Sequence, residues 1–202
     1  MPQTLKQTIR QDILSLREQL PADVRAALST VITEQLLQLP VCRQASAVMG
    51  YMNFGAEFAS EMWVGQSLAK GKRLALPRVN HHTNQLDLYW VNDLESQLAA
   101  GLWGVREPIP ERCERLESLN EVEFILLPGV AFSRDGARLG YGKGFYDKLL
   151  APLTGRVRES RPALAAAAFA LQIVTHVPQE PTDVKVEWLI TERETIACNG
   201  NE

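Results

Sequence analysis

The sequence predicts a single three-layer α/β domain built on a largely buried sheet, and three observations carry that expectation. Its 202 residues fit one domain at the usual ~100–200 residues each. Apolar runs that read as strands alternate with segments of helical period, and neither an internal repeat nor a low-complexity linker divides the chain. Hydrophobic residues make up 46% and charged ones 22%, which excludes intrinsic disorder, a collagen-like repeat and a disulfide scaffold.

The elements follow in order. From Thr4 to Leu20 the apolar residues Leu5, Ile9, Ile13, Leu16 and Leu20 recur every three or four positions, with Thr4 and Gln7 placed as a capping box. Pro21 breaks this first helix. Val24, Leu28, Val31, Ile32 and Leu36 repeat the period up to Pro40, predicting a second. Ala45–Met52 is a short apolar run, hence a buried strand, and Ser60–Lys70 reads as a helix with Ser60 at its N-cap and Gly71 just past its end. Lys72–Leu76, Leu86–Val91 and Glu123–Leu127 are further strands, and Phe145–Leu150 resumes helical periodicity. Ala163–Leu171 is ambiguous: its alanines favour helix, whereas its length and its place after Pro162 suit a buried strand. Trp188–Thr191 predicts a last short strand.

With 21 Lys and Arg against 24 Asp and Glu the net charge is −3, so nothing global favours nucleic acid or an anionic membrane. An anionic ligand must be held locally. Cys42, Cys113 and Cys198 lack metal or disulfide spacing and suit reduced thiols in a cytoplasmic setting. The opening MPQTLKQTIRQD lacks the apolar stretch of a signal peptide, and the longest apolar run, Ala163–Leu171, falls short of the ~20 residues of a membrane helix. His81, His82 and His176 have no partners at ligand spacing and are expected in loops or at the surface.

Chemistry concentrates between Leu126 and Leu150, where Gly129, Gly136, Gly140, Gly142 and Gly144 are interleaved with Arg134, Arg138, Lys143 and Asp147. Glycines allow converging backbone N–H groups, and Arg and Lys supply charge, so a phosphate cradle is the natural hypothesis. Two common cradles fail on counting. A Walker A loop needs glycine where Ala137 stands and Ser or Thr where Gly144 stands. A dinucleotide fingerprint needs its third glycine three residues after the second, whereas Gly140, Gly142 and Gly144 are spaced by twos. Spacing alone therefore leaves both a phosphate cradle and a glycine-rich structural turn open.

The string Arg138-Leu-Gly-Tyr-Gly-Lys-Gly-Phe-Tyr-Asp147, preceded by Leu127-Pro-Gly-Val-Ala-Phe132 and Gly136, closely resembles the signature of the 5-formyltetrahydrofolate cyclo-ligases, or methenyltetrahydrofolate synthetases. The likeness extends along the chain through Lys6 and Arg10, Glu57, Leu76-Pro77, Trp103-Gly-Val-Arg-Glu-Pro108, Thr182-Asp-Val and Leu189-Ile-Thr-Glu192. It implies a fold like that of the sugar-phosphate isomerases and CoA-transferases. The implied reaction is ATP-dependent closure of 5-formyltetrahydrofolate to 5,10-methenyltetrahydrofolate with Mg2+, in a cytoplasmic enzyme expected to be monomeric, without nucleic acid or membrane partners.

The resemblance also implies roles. Lys6 and Arg10 share one helical face at i and i+4, which by spacing alone reads as a solvated surface; the family assigns them to ATP phosphates. Arg138, Leu139, Gly140, Tyr141, Gly142, Lys143, Gly144, Phe145 and Tyr146 match the ATP-binding stretch, with Lys143, Arg138 and Tyr146 as its catalytic members. Tyr141 to Phe145 also face the folate, together with Met52 and Glu57, and Trp103 offers an aromatic wall. Asp147 matches a magnesium ligand and Asp183 a second. Phe145 stands where many members have tyrosine, Ser133 where an acid is common and Glu187 where aspartate is frequent. Two rivals stay open: a non-catalytic folate or nucleotide binder, and another ATP-dependent kinase or ligase on the same scaffold.

Overall fold

The computed structural model describes residues 2–101, 104–157, 160–180 and 183–198. Helix α1 (Pro2–Gln19) begins two residues before the expected cap, because proline is well placed at a helix start. Thr4 therefore lies inside the first turn, where its carbonyl accepts from Thr8 Oγ1 at 3.1 Å, and does not serve as the cap. Pro21 caps α2 (Ala22–Gln38), whose Ser29, Ile32, Thr33 and Leu36 are buried. Pro40 does more than end α2: it opens a further short helix, α3 (Pro40–Gln44).

Strand β1 (Ala47–Met49) lies at the middle of the main sheet. Helix α4 (Ser60–Ala69) follows, and Gly71, with φ +77°, ends it as expected. Ser60 is not its cap. The hydroxyl donates instead to the Tyr51 carbonyl at 2.6 Å, tying α4 to the segment that leaves β1. β2 (Arg73–Asn80) and β3 (Gln85–Val91) form an antiparallel hairpin. β2 runs four residues past the expected Leu76, and it does so despite Pro77. Its pairing with β1 stops at Ala75, so the proline falls where the strand has left that neighbour and a missing N–H is tolerated. The short α5 (Leu94–Gln97), β4 (Leu98–Ala100), β5 (Arg106–Pro108) and β6 (Glu114–Arg115) lead to β7 (Phe124–Leu127). Next come β8 (Ala131–Ser133), β9 (Arg138–Leu139), α6 (Phe145–Leu150), β10 (Ala163–Ala167), β11 (Ile173–Val174), β12 (Trp188–Ile190) and β13 (Thr195–Ala197).

The main sheet has the order β13-β12-β10-β7-β1-β2-β3-β6. Its five central strands, β12 to β2, are parallel, while β13 on one edge and β3 on the other run against them and β6 pairs antiparallel with β3. β1, β7 and β10 are buried throughout, which explains their unbroken apolar runs. Alternation sorts them into two cores. Val48, Phe124, Leu126 and Ala165 face Ile32 and Leu36 of α2 and Trp63 and Val64 of α4. Met49, Ile125, Leu127 and Ala166 face Phe132, Leu150 and Leu153. The expected three layers are thus present. The alanines of β10 resolve as strand because pairing with β7 and β12 overrides their helical preference.

A smaller sheet, β11-β8-β9, supports the site. Ile13 of α1 packs on it in a third core with Val130, Ala131, Ala137, Leu139 and Val177. The β8–β9 turn passes so close to the segment entering β12 that a Cβ on Gly136, whose φ is +87°, would lie 2.2 Å from the Val186 carbonyl oxygen. Gly136→Ala combines a left-handed backbone with overlap against main chain, each worth about 1–3 kcal/mol. Denaturant unfolding is expected to show a loss of about 2–5 kcal/mol. A change within 0.5 kcal/mol, roughly that of a surface substitution, would show that the turn moves freely aside.

Candidate active site

The central strands end on one side of the sheet at Met49 and Leu127, and the loops leaving them build a cleft there, the usual place for ligands in open α/β sheets. Beyond β9, residues 140–144 cross in front of α1 before α6 begins at Phe145. Arg10 fixes this crossing. Its Nε donates to the Gly140 carbonyl at 2.7 Å, and a Cβ on Gly142, where φ is +92°, would meet its guanidinium at 3.5 Å. Lys6, one turn earlier, is 3.0 Å from Glu180 Oε1 and 3.9 Å from Asp183 Oδ2. Asp183 Oδ2 also accepts from the Glu180 N–H at 2.8 Å. The structure therefore joins Arg10 to the glycine loop and Lys6 to Asp183.

Arg138 is buried beneath the loop, its side chain 5% exposed. Nη2 donates to Asp147 Oδ1 at 2.6 Å and Nη1 to the Pro128 carbonyl at 3.3 Å, while the guanidinium carbon lies 5.8 Å from the Tyr146 ring centroid. Nε is buried without a partner. Lys143 contrasts with these cations: it is exposed and makes no hydrogen bond or ion pair among the described residues. Leu139 is buried in the small core and supports the loop from below.

The cleft beside the loop has a volume of about 150 Å3, with Met52, Glu57, Pro77, Tyr141, Phe145 and Tyr146 among its walls. Glu57, 8% exposed, is its buried carboxylate floor. Oε2 accepts from the Phe54 N–H at 2.7 Å and Oε1 from the Tyr141 hydroxyl at 2.6 Å, and that hydroxyl in turn accepts from Arg17 Nη2 at 2.7 Å. Burial pushes the Glu57 carboxyl above its ordinary value, against the lowering effect of the Tyr141 and Phe54 hydrogen bonds and the Arg17 charge. Burial, reinforced by the Glu57 charge, likewise drives the Tyr141 and Tyr146 hydroxyls well up, so both are proton-bearing donors at neutral pH. A roomier hollow of about 250 Å3, lined by Leu119, Leu149, Leu153 and Arg156, contains none of the expected site residues.

Trp103 lies outside the described residues. Three residues of the site escape the sequence reading. Arg17 extends the face of Lys6, Arg10 and Ile13 at i, i+4, i+7 and i+11, a stripe that could have revealed it. Tyr51 and Glu107 also line the cleft, Glu107 through the Trp103–Pro108 string and Tyr51 beside Met52, without a local pattern to separate either from core. His81, His82 and His176 are exposed, as expected. Among the described residues, no three His, Cys, Asp or Glu side chains gather into a metal-binding group.

Tyr141 and Phe145 belong both to the cation-backed glycine loop and to the cleft over Glu57, so a charged co-substrate on the loop would meet a flat, hydrogen-bonding one in the cleft. Adjacent compartments of that kind on a parallel sheet suit an enzyme that brings two co-substrates together. Comparison with known proteins makes the class specific: the family model described as the 5-formyltetrahydrofolate cyclo-ligase family matches residues 2–192. The 5-formyltetrahydrofolate cyclo-ligase of Mycolicibacterium smegmatis is 30% identical over 199 residues, 96% of each chain. The 5,10-methenyltetrahydrofolate synthetase structure from Aquifex aeolicus has a TM-score of 0.81 at 31% identity, covering 98% of this chain and 95% of that one. The synthetase from Mycoplasma pneumoniae shares the fold, with a TM-score of 0.69 at 20% identity over 93% of this chain and 98% of its own. This chain belongs to the 5-formyltetrahydrofolate cyclo-ligase family.

Proposed function

We propose that this site closes 5-formyltetrahydrofolate to 5,10-methenyltetrahydrofolate, consuming ATP and releasing ADP and phosphate. The observation that carries the reading is the Tyr141–Glu57 hydrogen bond, which places the glycine loop directly beside a buried carboxylate. The cleft is smaller than the roughly 300–1,000 Å3 that encloses a whole drug-sized ligand; it suits a ring system whose tail lies outside. Glu57 accepts from the pterin amino and ring N–H groups, and Met52 and Phe145 cover the ring faces.

A formamide oxygen is a poor leaving group. Transfer of the γ-phosphoryl group to that oxygen releases ADP and gives an iminium-like phosphate; the neighbouring bridge nitrogen adds to its carbon and loses its proton, and phosphate then leaves that carbon. The protein aligns the two ligands and offsets charge. Arg10 and the loop N–H groups hold the phosphates, with Lys6 one turn earlier on α1; Lys143, which makes no hydrogen bond or ion pair among the described residues, follows the phosphoryl group in flight. Arg138 stays beneath the loop, fixing Asp147 and packing on Tyr146.

Asp147 and Asp183 are the carboxylates offered to magnesium. Asp147 fits: its side chain is 47% exposed, Oδ1 is taken by Arg138 and Oδ2 has no partner among the described residues. Magnesium commonly takes one or two carboxylates and completes its shell with phosphate oxygens and water. Asp183 is already engaged through Oδ2 by Glu180 and Lys6, and would offer Oδ1, which has no partner among the described residues. Magnesium would supply charge neutralisation of the ATP phosphates.

The test is spectroscopic. Protein, 5-formyltetrahydrofolate, ATP and magnesium should generate the methenyl absorbance in the near ultraviolet with one ADP per turnover, and omission of ATP should abolish it. Equal product without nucleotide would overturn the reading. Glu57→Gln keeps the shape but loses charge-assisted acceptance, worth about 1.5–3 kcal/mol, so the folate Kd should rise about 10–100-fold. ATP affinity should be preserved. Equal loss of both would show that Glu57 serves folding alone.

A further inference from the structure

We infer that Arg17 is a positioning residue for the substrate: it fixes the Tyr141 hydroxyl so that its one proton is committed to Glu57, and thereby holds Glu57 as an ionised acceptor facing the cleft. The inference rests on the folate reading of that cleft. The logic is one of donors and acceptors. Arginine has donors only, so at 2.7 Å from Arg17 Nη2 the Tyr141 oxygen must accept. Its single O–H is then free to point only at Glu57 Oε1, 2.6 Å away, while the Phe54 N–H fills Oε2 at 2.7 Å. Both carboxylate oxygens are thus met by fixed donors, which favours the charged form and leaves lone pairs for a ligand's N–H groups.

Arg17 is itself only 3% exposed, and its Nε is buried without a partner. No carboxylate pairs with it directly among the described residues; its charge is answered by Glu57 through Tyr141, whose ring centroid lies 5.8 Å from the guanidinium carbon. Burying a cation so incompletely satisfied is unfavourable by several kcal/mol, and an apolar residue would pack α1 at less expense. The arrangement makes sense if the cation acts on Glu57. The other groups about Glu57 bear no charge or are occupied elsewhere. Tyr51 and Tyr146 are proton-bearing phenols raised by burial and by the Glu57 charge. Glu107, on the far wall, accepts from the Val79 N–H at 3.3 Å, and Arg106 is bound to Glu61 at 2.7 Å. Arg17 is therefore the cation coupled to Glu57 by a hydrogen-bonded path.

The test compares wild type, Arg17→Met, Tyr141→Phe and the double variant, with Arg17→Lys as the conservative control and thermal melting to confirm folding. Carboxyl-carbon NMR of Glu57 in the ligand-free protein is the first readout. Arg17→Met should move its titration to higher pH by about one unit, the effect of losing one hydrogen-bonded charge, and Arg17→Lys should restore part of the shift. In the second readout, the 5-formyltetrahydrofolate Kd should rise about tenfold in Arg17→Met, the equivalent of 1.4 kcal/mol, with ATP Kd within twofold. The acidic limb of kcat/KM for the folate should shift to higher pH in parallel. The double variant should bind no more weakly than Tyr141→Phe, since the path is already cut. Additive losses, or an unmoved Glu57 titration with both ligands weakened equally, would reduce Arg17 to an anchor for α1. A wild-type protein that binds ATP but not 5-formyltetrahydrofolate would overturn the substrate reading instead, and the NMR titration would still decide the relay.

Discussion

Lys143→Met is expected to lower saturated turnover about 10²–10³-fold, the loss seen when one preorganised charge stabiliser is removed, while ATP binding at rest weakens far less. The expectation comes from how the neighbouring cations are employed. Arg10 is bound to the Gly140 carbonyl, Arg138 to Asp147 and Pro128, and Lys6 to Glu180. Lys143 is held by no partner among the described residues, on a stem long enough to track a moving group. Removing an exposed, unpartnered side chain should change stability by no more than about 0.5 kcal/mol, so a kinetic loss cannot be charged to misfolding. Methionine keeps much of the stem and removes the charge. If the lysine only anchors resting ATP, the Michaelis constant for ATP should rise and saturated turnover should stay near wild type, because uniform binding has been lost. Both constants unchanged would leave the cradle to the loop N–H groups and Arg10.

The parts of this fold legible in sequence are those whose burial is uniform. β7 and β10 are buried at every residue and so appear as unbroken apolar runs, and α6 was visible from its period alone. β9 and β11 are not, because strands of two residues carry no period to detect. α1 misled in a more instructive way. Leu5 and Leu16 belong to the apolar period yet are about half exposed, whereas Arg17, outside that period, is buried. The helix turns its mixed Lys6-Arg10-Ile13-Arg17 face inward because that face meets a ligand loop and its support as well as a core. Ser60 was misread for a related reason: its hydroxyl answers a carbonyl nine residues earlier instead of its own helix. At the site, the signature from Arg138 to Asp147 named the loop through resemblance alone. The Tyr141–Glu57 bond spans 84 positions, and no local pattern encodes such a contact.

Asp147→Asn probes the other end of that loop and should separate two duties that one side chain performs. In the structure Oδ1 accepts from Arg138 Nη2 at 2.6 Å while Oδ2 has no partner among the described residues. Asparagine can present its carbonyl oxygen to Arg138, so the buried guanidinium stays in place and stability should change little. What disappears is the anionic oxygen offered to magnesium. Loss of an outer-shell partner of a metal costs about 10–100-fold in affinity or activity, and loss of a direct ligand should exceed that. The magnesium concentration giving half-maximal rate should therefore rise by about 10²-fold, and direct titration of the ATP-bound protein with magnesium should show the same displacement without turnover. Asp147→Ala adds the loss of the Arg138 hydrogen bond, about 1.5–3 kcal/mol for a charged pair. The difference between alanine and asparagine in saturating magnesium thus measures how far Arg138 depends on being held. If Asp147→Asn lowers turnover while its magnesium titration overlays that of wild type, Asp147 acts only through Arg138, and the metal must be sought at the free oxygen of Asp183 or on the ATP phosphates alone.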